Sequence, residues 1–153
     1  DPDLINYVDS VPFALVAVGG ISDSMKRVSL IRRNRDLGFQ APTIIAATAY
    51  VSSFASIGEG AVLMHGVVVN ARANIGNHCI INSKSLIEHD VKIGHYSHVS
   101  TGVIINGGVS VGKASFIGSA SVIREDVVIG ENCFVGMGQA IVDDVPEGGR
   151  KVK

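Results

Sequence analysis

Residues 75–93 read Ile75-Gly76-Asn77-His78-Cys79-Ile80-Ile81-Asn82-Ser83-Lys84-Ser85-Leu86-Ile87-Glu88-His89-Asp90-Val91-Lys92-Ile93, with an aliphatic residue returning at 75, 81, 87 and 93. The same phase runs back through Val69, Leu63, Ile57, Val51 and Ile45, and forward through Val99, Ile105, Val111, Ile117, Ile123, Ile129, Val135 and Ile141. A six-residue repeat of this length is the sequence signature of a parallel β-helix. The fifth place of each hexad is small in nearly every repeat, as at Ala49, Ala55, Ala61, Val67, Ala73, Cys79 and Ser85, with Gln139 the exception. Fifth and following first places are two apart, so they share one face of a strand. Each short strand therefore points those two inward and the sixth and second places outward, while the third and fourth turn a corner. Three hexads close a triangular coil, and residues eighteen apart stack into columns. About six coils at ~4.8 Å each give a prism just under ~30 Å tall.

Parallel crossovers are normally right-handed, but uninterrupted hexads resemble the left-handed β-helix, the known exception. The expected fold is mainly β: a left-handed parallel β-helix over residues 41–153, preceded by a partial α/β piece over residues 1–40. In that piece, Phe13-Ala14-Leu15-Val16-Ala17-Val18 reads as a buried strand, followed by Gly19-Gly20 and a helix starting near Ser22 or Asp23. Met25, Val28 and Ile31 supply a helical apolar stripe and Gly38 a stop. This resembles the second half of a Rossmann-like unit. One strand with one helix cannot bury itself, so an N-terminal portion of that domain is expected to lie outside this chain. Lys26, Arg27, Arg32, Arg33 and Arg35 make the helix strongly basic, which suits a solvated face with cations near its C-terminus.

Sorted by wall, the outward sixth places are informative. The first wall shows Val62, Ile80, His98, Phe116 and Phe134; the second Tyr50, Val68, Leu86, Ile104, Val122 and Ala140; the third Ser56, Asn74, Lys92, Ser110, Val128 and Pro146. Two walls are apolar outside as well as inside, and contiguous apolar stripes mark contact surfaces. Two unlike adhesive walls on a three-sided rod suit packing about a threefold axis, so a homotrimer is expected. On the polar side, Gly58, Gly76, Gly94, Gly112 and Gly130 recur every eighteen residues, which suits tight coil stacking.

The net charge of −1 over 153 residues gives no general attraction for nucleic acid or anionic lipid. No run approaches the ~18 apolar residues of a membrane span, and nothing resembles a signal peptide, so a cytoplasmic protein is expected. Cys79 and Cys133 fall three coils apart, at ~4.8 Å per coil, too far for a disulfide. Both read as inert interior residues.

Of the five histidines, His65 and His95 fall at third places, His78 at a fourth and His98 at a sixth. His89 differs by its neighbours: it stands at a corner between Glu88 and Asp90, and one coil above lie Gly107 and Gly108. An imidazole beside a carboxylate that fixes its tautomer can accept a proton at neutral pH. A three-histidine zinc site would need ligands that converge between subunits; no spacing supplies them, so no metal is expected.

The run from Asn82 to Gly94, the following Tyr96-Ser97-His98-Val99-Ser100, and Val69-Asn70-Ala71-Arg72-Ala73-Asn74-Ile75-Gly76 resemble the active-site stretches of the NeuD/PglD type of sugar acetyltransferases. The likeness covers most of the chain. It implies an acetyl-CoA-dependent transferase acting on an amino or hydroxyl group of a sugar, often a nucleotide-linked amino sugar. Matched by position, His89 would be the general base and Asp90 its partner. Asn82 and His98 would lie near the thioester, the Gly107 N–H would face its carbonyl oxygen, and Ser119 and Met137 would contact the coenzyme along a track shared with Thr101. Glu88 and Asn70 would bind the substrate. The chain departs from that pattern at Ala46-Ala47, where His-Pro is common, and it lacks both the glycine-rich first turn that helps hold the nucleotide and the C-terminal Gly-x-Pro-Ala-Lys segment near the coenzyme. O-acetylation of a sialic acid is the neighbouring expectation within the family. A non-catalytic scaffold is the expectation from another class, since apolar outer walls serve assembly equally well.

Overall fold

The computed structural model describes residues 2–19 and 24–152. Strands of two residues, each a sixth and a first place of a hexad except the last (Arg150–Lys151), assemble into three parallel sheets of seven, six and five strands. The register is the eighteen-residue one: Ile87 pairs with Ile105, Leu63 with Ile81, and Ile93 with Val111. The three sheets are the three walls, and together they form a β-solenoid of about six turns.

The hexad explains the interior. First-place residues from Leu63 to Val135 are buried almost completely, and the fifth places beside them are equally closed. Fifth-place serines lie inside because their hydroxyls have work there. Ser115 Oγ donates to the Gly130 carbonyl at 2.9 Å and accepts the Cys133 N–H at 3.0 Å, while Ser121 does the same with Gly136 and Gln139 at 2.9 and 3.1 Å. Such hydroxyls satisfy polar groups that burial would otherwise penalise. Cys79 and Cys133 are free and buried, as expected.

Corners are built from left-handed residues at fourth places. Arg72, His78, Lys84, Asp90, Tyr96, Ala114, Ala120, Asp126 and Asn132 all take φ between 55° and 64°, a region that most L-residues avoid. The cost recurs because the triangular turn demands it. The glycine column at the second places is a packing requirement: a Cβ on Gly94 would stand 2.5 Å from the Lys113 backbone nitrogen, and one on Gly76 would stand 2.7 Å from that of His95.

The last coil is shorter than the repeat implies. Ile129 bridges Val145, and Phe134 and Val135 pair with Arg150 and Lys151, each sixteen residues on. The corner after Ile141 has lost two residues, so Val145 takes the inward place and Pro146 is not the outward sixth residue of the third wall. Asp144 compensates by accepting the Val128 N–H at 2.8 Å, a bond the missing strand would have made.

The N-terminal piece departs from expectation. Residues 13–18 form no strand: a single parallel bridge joins Phe13 to Gln40, and Phe13, Leu15 and Val18 are exposed. Their ladder partners are absent among the described residues, so an apolar run alone does not make a sheet. The partial Rossmann-like unit therefore reduces to a 3-10 turn (Pro2–Tyr7) and one helix, α1 (Ser24–Asp36). The expected helix start at Ser22 or Asp23, and Gly20, lie outside the described residues, as does the Met25 side chain. Val28 and Ile31 are buried as the stripe required. Gly38 ends the helix at φ 96°, where the Gly38 and Phe39 N–H groups bond the Arg35 and Asn34 carbonyls, a Schellman arrangement. The basic face is exposed at Lys26, Arg32, Arg33 and Arg35, but Arg27 is buried.

Of the two apolar walls, the first is already half-buried within the chain. His98 meets Phe116 edge-on with centroids 5.2 Å apart, Phe116 stacks on Phe134 at 5.2 Å, and the Arg150 guanidinium lies 4.4 Å over the Phe134 ring. The second wall stays open, with Tyr50, Ile104 and Val122 exposed.

Candidate active site

Four of the five histidines make packing or local hydrogen-bond contacts. The His65 Nδ1 is 3.2 Å from the Thr48 hydroxyl, and the His95 Nδ1 accepts the Asn77 N–H at 2.8 Å. His78 stacks on Tyr96 with its ring held below the usual imidazole range by burial, and His98 packs edge-on against Phe116 beside Gly19. His89 meets a carboxylate: its Nδ1 is 2.8 Å from Asp90 Oδ2.

The two residues meet because the corner puts them at consecutive third and fourth places. Asp90 sits at φ 62°, and its N–H is tied to the Ala71 carbonyl of the coil below at 3.1 Å. The Asp90 carboxyl is held far below the ordinary carboxylate range, first by its hydrogen bond to the Arg72 guanidinium and then by that to His89. An ionised carboxylate only accepts hydrogen bonds. The His89 Nδ1 is therefore the donor in this contact, and Nε2 is the ring nitrogen that Asp90 leaves unengaged.

Around this pair the structure gathers Asn70, Glu88 and Gly107. The Asn70 amide donates to Glu88 Oε2 at 2.9 Å, and the same oxygen accepts the His89 N–H at 3.3 Å. Gly107 lies one coil above, and a Cβ there would come within 2.6 Å of His89 Cε1. The space that a side chain at Gly107 would need is thus taken by the imidazole itself. The Gly107 N–H has no acceptor among the described residues and is available to an incoming oxygen. Arg72, which sequence reasoning quoted without assigning a role, joins the cluster; the eighteen-residue column linking it to Asp90 was the signal that could have found it.

Other expected residues stand elsewhere. Ser119 and Met137 share the corner between the first and second walls, where the Gly138 N–H bonds the Ser119 carbonyl at 2.8 Å, and Met137 is 78% exposed. Asn82 begins the same corner and caps it with its Oδ1 on the Ser83 N–H at 2.8 Å, while Ser100 and Ser119 hydroxyls meet at 2.8 Å beside it. His89 occupies the corner between the second and third walls. One chain therefore holds Asn82, Ser119 and Met137 on one edge and His89 on another. Among the described residues no group of three or more His, Cys, Asp or Glu could hold a metal, and no helix is long and apolar enough to cross a membrane.

A hexad solenoid of this kind is shared with the hexapeptide-repeat acyltransferases. Comparison with solved structures narrows this. PerB from Caulobacter crescentus, in complex with CoA and GDP-perosamine, is 34% identical with a TM-score of 0.91, over 96% of this chain and 70% of that one. The acetyltransferase domain of PglB from Neisseria gonorrhoeae, in complex with acetyl coenzyme A, is 31% identical with a TM-score of 0.88, over 96% of this chain and 71% of that one. WeeI from Acinetobacter baumannii AYE, at 24% identity and a TM-score of 0.82 over 94% of this chain and 72% of that one, shares the fold. No family model and no curated protein sequence matches the chain. The chain belongs to the hexapeptide-repeat sugar acetyltransferases, enzymes that draw their acetyl group from acetyl-CoA.

Proposed function

We propose that this protein transfers the acetyl group of acetyl-CoA to the amino group of a nucleotide-linked amino sugar, with His89 as general base. The observation that carries the reading is the 2.8 Å contact of His89 Nδ1 with Asp90, which leaves Nε2 as the ring nitrogen free to face an acceptor under Gly107. The acceptor nitrogen attacks the thioester carbonyl carbon while Nε2 takes its proton, and the Gly107 amide stabilises the developing oxyanion. The C–S bond then breaks, and the departing thiolate recovers the proton from His89. No acyl-enzyme is required. Glu88 and Asn70 bind the acceptor beside the base.

Asn82, His98, Ser119 and Met137 bind the coenzyme in this reading. Because the Ser119 corner and the His89 corner are different edges, two chains complete one site, and the assembly is a homotrimer. The open second wall supports that arrangement. Residues 1–40 belong to a nucleotide-sugar-binding domain and residues 41–153 to the acyltransferase domain, and the protein works in the cytoplasm, where acetyl-CoA is available.

The amino acceptor rests on the perosamine enzyme, which has been solved with its sugar nucleotide both intact and with one histidine replaced by Asn or Ala. The test is thiol release from acetyl-CoA with GDP-perosamine, other nucleotide amino sugars and free sialic acids. Release with an amino sugar, reduced ~10²–10⁴-fold in His89→Ala while calorimetry shows coenzyme still bound, is the expected result. Release with sialic acid alone would make it an O-acetyltransferase; normal turnover in His89→Ala would remove the base; and no binding of acetyl-CoA would favour the scaffold.

A further inference from the structure

Asp90 is held from below as well as from beside. Arg72 Nε reaches its Oδ1 at 2.6 Å and a terminal guanidinium nitrogen reaches Oδ2 at 2.8 Å, so the fork spans both oxygens. Arg72 and Asp90 occupy the same fourth-place column one coil apart, both left-handed, at φ 59° and 62°. The side chains of Arg72, His89 and Asp90 are 70, 60 and 40% exposed. Exposed ion pairs contribute modestly to folding, most when the fork is bidentate, so the gain in stability from this one is modest. What it does is immobilise an aspartate that could otherwise rotate away from the imidazole.

We propose that Arg72 is a positioning residue for acetyl transfer, clamping Asp90 so that Oδ2 faces His89 Nδ1 and the base keeps one tautomer and one orientation. This rests on the assignment of His89 as the base. The clamp has an electrostatic consequence too. A guanidinium on the far side of the carboxylate weakens its hold on a protonated imidazole, so the proton taken from the acceptor is more readily returned to the leaving thiolate. The nearest other charge is Glu88 beside it, and two coils up the same columns carry Arg124, Glu125 and Asp126, the last against Gly108. Lys92 stands on the adjacent strand. Without Arg72, the charges in contact with His89 are Asp90 and Glu88, and both favour the imidazolium.

The test uses Arg72→Gln and Arg72→Lys, with nitrogen NMR of the imidazole read against pH and turnover of acetyl-CoA with GDP-perosamine. The His89 signal is identified by its loss in His89→Gln. In Arg72→Gln the imidazole titration midpoint rises by about one pH unit, the neutral form loses its single tautomer, and kcat falls about tenfold with coenzyme binding unchanged. Arg72→Lys keeps the charge but not the fork, so it retains the midpoint and recovers only part of the turnover. Because the NMR readout needs no acceptor, it reports even where turnover is low. A wild-type midpoint and tautomer in Arg72→Gln overturn the proposal whatever the turnover, and full turnover in Arg72→Lys overturns the need for the fork. An inactive His89→Gln beside an unmoved Arg72→Gln sinks the proposal alone. A fully active His89→Gln sinks the base assignment and the proposal with it.

Discussion

The imidazole of His89 lies against Gly107 of the next coil, so close that a Cβ on that glycine would stand 2.6 Å from Cε1, 2.8 Å from Nε2 and 3.2 Å from Nδ1. Gly107→Ala must push the ring, because the ring is the part that can yield. The fold is expected to survive, with a melting temperature near that of the parent, while kcat drops on the order of 10²-fold, as for loss of a positioned base. Unchanged turnover in a folded Gly107→Ala would show that the ring's seat is unimportant.

Gly94 presents the opposite situation. Its Cβ would meet the Lys113 backbone nitrogen at 2.5 Å and the Gly112 carbonyl carbon at 2.8 Å, and neither can rotate aside. Gly94→Ala is expected to cost about 3 kcal/mol in urea unfolding. Gly102→Ala meets nothing within 4 Å and should cost only about 1 kcal/mol for its left-handed backbone. Equal costs would refute the reading of the glycine column as a stacking requirement.

Burial pushes the Cys79 thiol up from 9.0 to about 12. A group whose folded value is raised contributes stability that is complete below the unfolded value and is lost as pH rises toward the folded one. Stability should therefore decline between pH 9 and 12, and Cys79→Ala should flatten that decline. At pH 8 the native thiol should resist alkylation until denaturant is added; rapid labelling of the native protein would contradict its interior placement.

Asn70 and Glu88 form a pair at 2.9 Å beside the base without touching its ring nitrogens. Asn70→Ala and Glu88→Gln are expected to raise KM for the acceptor about tenfold with kcat little changed, the signature of lost uniform binding. A rise in KM for acetyl-CoA instead would move the pair to the coenzyme side.

Much of the site was legible because column arithmetic converts sequence separation into contact. Asn70 and Glu88, Arg72 and Asp90, and His89 and Gly107 are all eighteen residues apart, and all meet. His89 and Asp90 were recognisable as neighbours, yet adjacency in sequence does not say which way two corner side chains turn. The two-residue deletion after Ile141 was hidden for a related reason: Asp143 and Asp144 do not reveal that a carboxylate will replace a strand's hydrogen bond.

The sequence by itself determined the solenoid, because a six-residue apolar phase can bury itself in only one way when three hexads close a lap. It also determined which residues share a column. Only the tertiary structure decided that residues 13–18 remain unladdered, that the first wall closes over its own aromatic stack while the second stays open, and that Arg72 grips Asp90 with both arms. Those outcomes depend on partners distant in the chain and on side-chain torsions, neither of which a local repeat encodes.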